Sequence, residues 1–217
     1  MRYDLIIFDL DGTVLNTKGG LAYAVNEARK ECGLPPQEKD FIISLVGNGT
    51  RKLIERSLAG EKNADELFEK VLSTYQKIYE ENCLYDTYPY DGVTKMLQTL
   101  KSNGIKLAVV TNKPDKPAKI LIRENFGDLI DEVHGNVDSV PVKPDPTFVF
   151  MTMENQGVKP QRTCYVGDSD VDIKTARAAG IDVISVDWGF KTREFLTENG
   201  AGVLCSDPGE LLEQVCS

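Results

Sequence analysis

Histidine is almost missing from this 217-residue chain: His134 is the single copy, and it matches no motif, so it reads as a structural or surface residue rather than a catalyst. Cysteine is present without a pairing pattern. The five residues (Cys32, Cys83, Cys164, Cys205 and Cys216) are odd in number and none stands in C-x-x-C spacing, so they read as buried or idle thiols in a reducing compartment, and a cytoplasmic location is expected. Long apolar runs are lacking too. No stretch approaches the roughly 20 residues that cross a bilayer. The apolar run in MRYDLIIFDLDG is too short for a signal-peptide core and acids interrupt it at once. Positive charge is scarce: 25 Lys and Arg against 34 Asp and Glu leave a formal charge of −9, which argues against nucleic acid or an anionic membrane as partner. A small molecule is the expected partner, and the protein itself is expected to be a monomer or homodimer.

What the chain does contain is an alternation of strand and helix signals. Short β-branched or aliphatic runs at Leu5–Phe8, 107–110, 164–166 and 183–186, and a weaker one at Val203–Cys205, are bounded by Gly, Asp and Asn. They read as strands buried on both faces of a sheet. Val93, Leu97 and Leu100 recur at helical spacing before Asn103-Gly104. Asp145-Pro146 predicts the opening of another helix that closes near Gly157, and Ser169 with Asp172 predicts a capping box on a helix ending at Gly180. The alternation predicts an α/β fold with a doubly wound parallel sheet. Residues 15–87 break it, with helical patterns (Leu21, Val25, Ala28, Cys32; Leu67, Val71, Ile78) around a Gly47-Asn48-Gly49 turn. A block this long is no βα loop. It predicts an inserted helical cap domain, leaving 1–14 and 88–217 as the α/β core domain.

The chemistry-bearing residues fall at the ends of strands. Asp9 and Asp11 stand in Phe8-Asp9-Leu10-Asp11-Gly12-Thr13, Thr111-Asn112-Lys113 ends the next apolar strand, and Asp168 and Asp172 follow Val166-Gly167. The carboxyl edge is where open α/β sheets place their sites. Several carboxylates there would lift one another's pKa values unless a cation joined them. An oxygen-only set suits Mg²⁺ rather than zinc. With Lys143, of Val142-Lys143-Pro144, these residues suggest a magnesium site fitted to a phosphate ester.

In this order, FDLDGT, TN, a lone lysine and GDSDVD resemble the haloacid dehalogenase superfamily of aspartate-dependent phosphotransferases, and the resemblance runs from Phe8 through Trp188-Gly189. It implies a Rossmann-like core of strand order 3-2-1-4-5. It also implies Asp9 as nucleophile, Asp11 as general acid and base, and Thr111 and Asn112 as phosphoryl-binding residues. Lys143 would neutralise charge, and Mg²⁺ would be held by Asp9, the Asp11 carbonyl and Asp168, with Asp172 supporting it. Asp11 separates phosphatases and mutases from the hydrolytic dehalogenases, whose leaving halide needs no proton. Asn16 departs from the Asp usual after the first motif, remote from the chemistry. Gly20 to Val25, Val46-Gly47-Asn48-Gly49-Thr50, Thr111-Asn112-Lys113-Pro114 and Lys143-Pro144-Asp145-Pro146 are most similar to bacterial phosphoglycolate phosphatases. Arg51 or Lys113 would then recognise the substrate's carboxylate. The alternatives are a pyrophosphatase or a sugar or nucleotide phosphatase, then a β-phosphoglucomutase, disfavoured because no histidine stands in the cap, and last a non-catalytic regulatory module.

Overall fold

Leu5-Ile6-Ile7-Phe8 carries no polar side chain, and all four residues are fully buried. That is the composition of a strand covered on both faces of a sheet. In the computed structural model, which describes residues 2–216, this segment is β1 (Leu5–Phe8). It lies in the interior of a six-stranded sheet with β2 (Lys106–Pro114), β3 (Glu132–Asn136), β4 (Thr163–Gly167), β5 (Asp182–Val186) and β6 (Val203–Cys205). Their spatial order is β3-β2-β1-β4-β5-β6, and every pair is parallel. Leu5 and Ile7 share one face with Ala108, Val110 and Tyr165 of the flanking strands, under Val149, Met153, Ala176 and Ala179. Ile6 and Phe8 point the other way and are equally buried.

The chain divides into two compact units: residues up to Asn16 together with Pro89 onward, and Thr17–Tyr88. The second is helical, with α1 (Lys18–Glu31), α2 (Lys39–Ser44), α3 (Thr50–Ser57) and α4 (Ala64–Asn82). Its internal fastening is Arg29, whose side chain is 1% exposed. That guanidinium donates to the carbonyls of Pro35 (2.8 Å) and Ser57 (2.5 Å) and pairs with Glu61 (2.6 Å). A buried guanidinium is tolerated only with its donors met, so it ties the end of α1 to the end of α3.

The first unit adds α5 (Val93–Ser102), α6 (Asp115–Phe126), α7 (Thr147–Gln156), α8 (Asp170–Ala179), α9 (Arg193–Glu198) and α10 (Pro208–Cys216) around the sheet. Two expectations need correction. Strand β3 was not among the predicted runs: Glu-Val-His-Gly-Asn lies at a sheet edge, mostly half-buried, and so shows no continuous apolar stretch. Helix α7 begins at Thr147, not at the Asp145-Pro146 step. Pro146 is its N-cap, and the Asp145 carboxylate accepts from the Thr147 N–H at 2.9 Å. Among the described residues no helix is long and apolar enough to cross a membrane.

Candidate active site

The carboxyl ends of β1, β2 and β4, three adjacent strands, converge on one cluster of charged side chains. Asp9 follows β1 directly, and its N–H donates to the Val166 carbonyl of β4 at 2.8 Å, which fixes the exit of one strand against the other. Asp168 follows β4. Its Oδ2 accepts from the Phe190 N–H at 2.6 Å, and the Thr13 hydroxyl lies 3.4 Å from its Oδ1. The space around it admits no extra carbon: a Cβ on Gly12 would stand 2.2 Å from Asp168 Oδ2, and Gly12 also has φ +81°. That explains the glycine after Asp11 on both sterics and backbone conformation. Trp188 donates from Nε1 to the Thr13 carbonyl at 3.0 Å, anchoring the same turn from the far end of the chain.

Lys143 comes from the β3–α7 connection and is held at both its backbone and its ammonium. The Asn112 carboxamide clamps its peptide group: Oδ1 accepts from the Lys143 N–H (2.7 Å) and Nδ2 donates to the Lys143 carbonyl (3.1 Å). The ammonium donates to Asp172 Oδ1 at 2.7 Å and to the Tyr165 hydroxyl at 2.9 Å, and it lies 3.0 Å from Asp9 Oδ1. That last approach is an ion pair without hydrogen-bond alignment, so Asp9 Oδ1 is buried with no directed hydrogen-bond partner. Tyr165 in turn donates to the Val110 carbonyl at 2.6 Å. Asp172 completes the predicted capping box: its Oδ2 accepts from the Ser169 N–H (3.1 Å) and hydroxyl (2.6 Å), while Ser169 caps the Asp172 N–H.

Burial pushes the Asp9 carboxyl up to about 6, with the charges of Asp172 and Asp11 adding to it and Lys143 opposing. Asp168 is likewise driven well above the usual carboxylate range by burial, then by Asp172 and Asp9. Burial alone would lower Lys143. The adjacent Asp172 and Asp9 outweigh it and hold the ammonium well above an ordinary lysine. Asp9, Asp168 and Asp172 each offer one oxygen within 4.8 Å of the others, with a single lysine among them. Such a surplus of buried negative charge calls for a cation, and an all-oxygen donor set with the unfilled Asp9 Oδ1 fits Mg²⁺.

Of the remaining predicted residues, Thr111 is buried at the end of β2 and its hydroxyl accepts from the Lys113 N–H at 3.3 Å. Asp11 bridges through its backbone to Leu15, and its carboxylate lies 2.9 Å from Lys113 Nζ. Lys113 is therefore turned inward. Arg51 belongs to the helical unit, is exposed, pairs with Glu69 at 2.8 Å and lies over the Phe68 ring. Asp170 faces outward to Lys174, and His134 pairs with Glu132 and stacks on Phe148. The residue sequence reasoning missed is Tyr165, read only as part of an apolar strand. Its signal was a phenol in a strand buried on both faces, where the hydroxyl must find a partner.

Known proteins resemble this chain in sequence and in fold. The family model for haloacid dehalogenase-like hydrolases matches residues 6–186. The phosphoglycolate phosphatase of Thiobacillus denitrificans is 36% identical over 197 residues, covering 89% of this chain and 87% of that protein. That of Aquifex aeolicus is 35% identical over 187 residues, covering 86% and 85%. Among solved structures, that of a predicted phosphoglycolate phosphatase from Haemophilus somnus superposes with a TM-score of 0.90 at 30% identity, covering 99% of this chain and 98% of that one.

Proposed function

Since the chain belongs to the haloacid dehalogenase-like hydrolase family, as a phosphatase, we propose that it hydrolyses a small phosphorylated metabolite through an aspartyl-phosphate on Asp9, with Mg²⁺ as cofactor and phosphoglycolate as the preferred substrate. The observation that carries this reading is the buried Lys143 ammonium set between Asp9 and Asp172 beside Asp168. Asp9 is a buried carboxylate nucleophile beside the Lys143 ammonium, able to form a bond to phosphorus. Lys143 neutralises the charge that accumulates as Asp9 and the phosphoryl group approach. The Thr111 hydroxyl and the backbone at the end of β2 hydrogen-bond the phosphoryl oxygens. Asp11 gives a proton to the leaving oxygen and later takes one from the attacking water, help that typically contributes about 10²–10⁴-fold.

Asp9, the Asp11 carbonyl and Asp168 would hold Mg²⁺, and Asp172, with both oxygens engaged by Lys143 and Ser169, supports them from behind. Bound there, the ion would offset the repulsion between the Asp9 carboxylate and the substrate's phosphate. Thr17–Tyr88 serves as the cap that selects the leaving group, with Arg51 the candidate for a second anionic group. Relatives named for phosphoglycolate support that substrate.

The test is phosphate release with Mg²⁺ from phosphoglycolate, pyrophosphate, hexose phosphates and nucleoside monophosphates, with Asp9→Asn as the blank. Preference for phosphoglycolate, abolished in Asp9→Asn, is expected. Preference for another phosphate discards the substrate and keeps the chemistry, and an Asp9→Asn variant that retains most activity discards the covalent route.

A further inference from the structure

Lys113 stands two residues beyond Thr111 on β2, where a cation invites assignment to an anionic group of the substrate. The structure points elsewhere. Its side chain is 2% exposed, its Nζ lies 2.9 Å from Asp11 Oδ1, and the Asp11 side chain is itself 13% exposed. An ammonium so far inside is retained only against a compensating charge. The buried partner is therefore the lysine, and the carboxylate is the end of the pair that reaches the site. The lysine is rigidly seated from its own backbone upward. It stands at the end of β2, where the register with β3 shifts between Val110 and Pro114. Its N–H donates to Thr111 Oγ1 at 3.3 Å, and a Cβ on Gly135 of β3 would stand 2.9 Å from its carbonyl. The Asp11 backbone is fixed separately, by its bridge to Leu15. The bridge holds the backbone, and the Lys113 ammonium meets the carboxylate itself.

We infer that Lys113 is a positioning residue for Asp11, and that it orients the carboxyl group for proton transfer rather than binding substrate. The inference rests on the reading of Asp11 as the proton donor and acceptor. In the first half-reaction the Asp9 oxygen bonds to phosphorus as the ester P–O bond breaks, and the Asp11 proton goes to the departing oxygen. In the second, water attacks phosphorus, its proton returns to Asp11, and the Asp9–phosphorus bond breaks. Both transfers need the same carboxyl oxygen at a set place, and small displacements of such groups are expensive in rate. A leaving group that departs as a stable anion does not need the first transfer, so the two kinds of ester separate the effect of Lys113 on Asp11 from its effect on the rest of the site.

The experiment compares Lys113→Met, Asp11→Asn and the double variant on phosphoglycolate, glycerol 2-phosphate and p-nitrophenyl phosphate. It measures kcat, KM and the pre-steady-state burst of nitrophenolate. Lys113→Met is expected to lower kcat on both alkyl esters by about tenfold or more, with KM unchanged, while the nitrophenolate burst falls far less. On the Asp11→Asn background the same substitution is expected to add no further loss. Three results would overturn the inference: a rise in KM confined to the carboxylate-bearing phosphoglycolate, a nitrophenolate burst that falls as far as kcat on the alkyl esters, or losses that add to those of Asp11→Asn. Failure of the underlying reading looks different. Asp11→Asn alone would then show no distinction between alkyl and aryl esters, with Lys113 intact. If the methionine variant does not fold, Lys113→Arg carries the test, because it keeps the cation with altered reach. A smaller loss with the same alkyl-to-aryl bias is expected, and an unbiased loss counts against the inference.

Discussion

The Lys143 ammonium meets Asp172, Asp9 and the Tyr165 phenol, and that phenol is fastened to the Val110 carbonyl, one residue before Thr111. One hydroxyl on β4 thereby joins the lysine to the phosphoryl-binding strand. Tyr165→Phe keeps the ring and the packing but leaves the ammonium short of an acceptor and the Val110 carbonyl short of a donor, each at about 1–2 kcal/mol. The expected outcome is a kcat reduced about five- to thirtyfold with KM little changed, together with a lower melting temperature. A change in KM alone would contradict it. Asp9, Asp11 and Asp168 stand out in the sequence because each sits at a fixed step from an apolar strand or a glycine turn, and Lys143 stands out by its place in the order of motifs. Tyr165 and the inward turn of Lys113 do not, because only the pairing of β4 with β1, and of β1 with β2, brings their partners near.

Helix α8 begins with a capping box whose acid is also the carboxylate that grips Lys143. Ser169→Ala is therefore expected to act twice. It should cost about 1 kcal/mol as a lost cap, and it should leave Asp172 Oδ2 with only the backbone N–H of residue 169, loosening the lysine and lowering kcat. Thr192 supplies the control: its side chain caps α9 at the Phe195 N–H. Thr192→Ala should lower the melting temperature by a similar amount with kcat untouched, and equal effects of the two variants on kcat would refute the coupling. The capping box, β1 and β4 could be read directly, because a cap pairs residues three apart and a strand sheltered on both faces is largely apolar. Edge strand β3 could not, since Glu132 serves side chains of α7 and His134 rather than any local pattern. The start of α7 shifted because Asp145 spends its carboxylate on a turn before the helix.

For the whole protein, the raised carboxyls set a pH dependence of stability whose sign is opposite to ordinary acid denaturation. Asp9, at about 6 in the folded state against 3.8 for its unperturbed value, holds more proton when native than when unfolded. Its contribution to stability is thus lost as pH rises through about 6 and recovered below about 4. In the metal-free protein the melting temperature is expected to fall between pH 5 and pH 7.5. Millimolar Mg²⁺ should raise it more at pH 7.5 than at pH 5, and Asp9→Asn should flatten the metal-free profile. A profile identical in wild type and Asp9→Asn would refute the assignment. The position of β1 has a further consequence, one in time. Leu5–Phe8 leaves the ribosome first, yet its two neighbours begin at Lys106 and Thr163. At about 5–20 residues per second the nascent strand waits roughly 8–30 s for its second partner. Throughout that interval an apolar segment meant for the middle of a sheet stands uncovered on at least one edge, while all of Thr17–Tyr88 is already made. A chain arrested before Thr163 carries its nucleophile and the entire helical unit with no centre for either to serve, so shortened products are inert toward substrate and sticky toward one another.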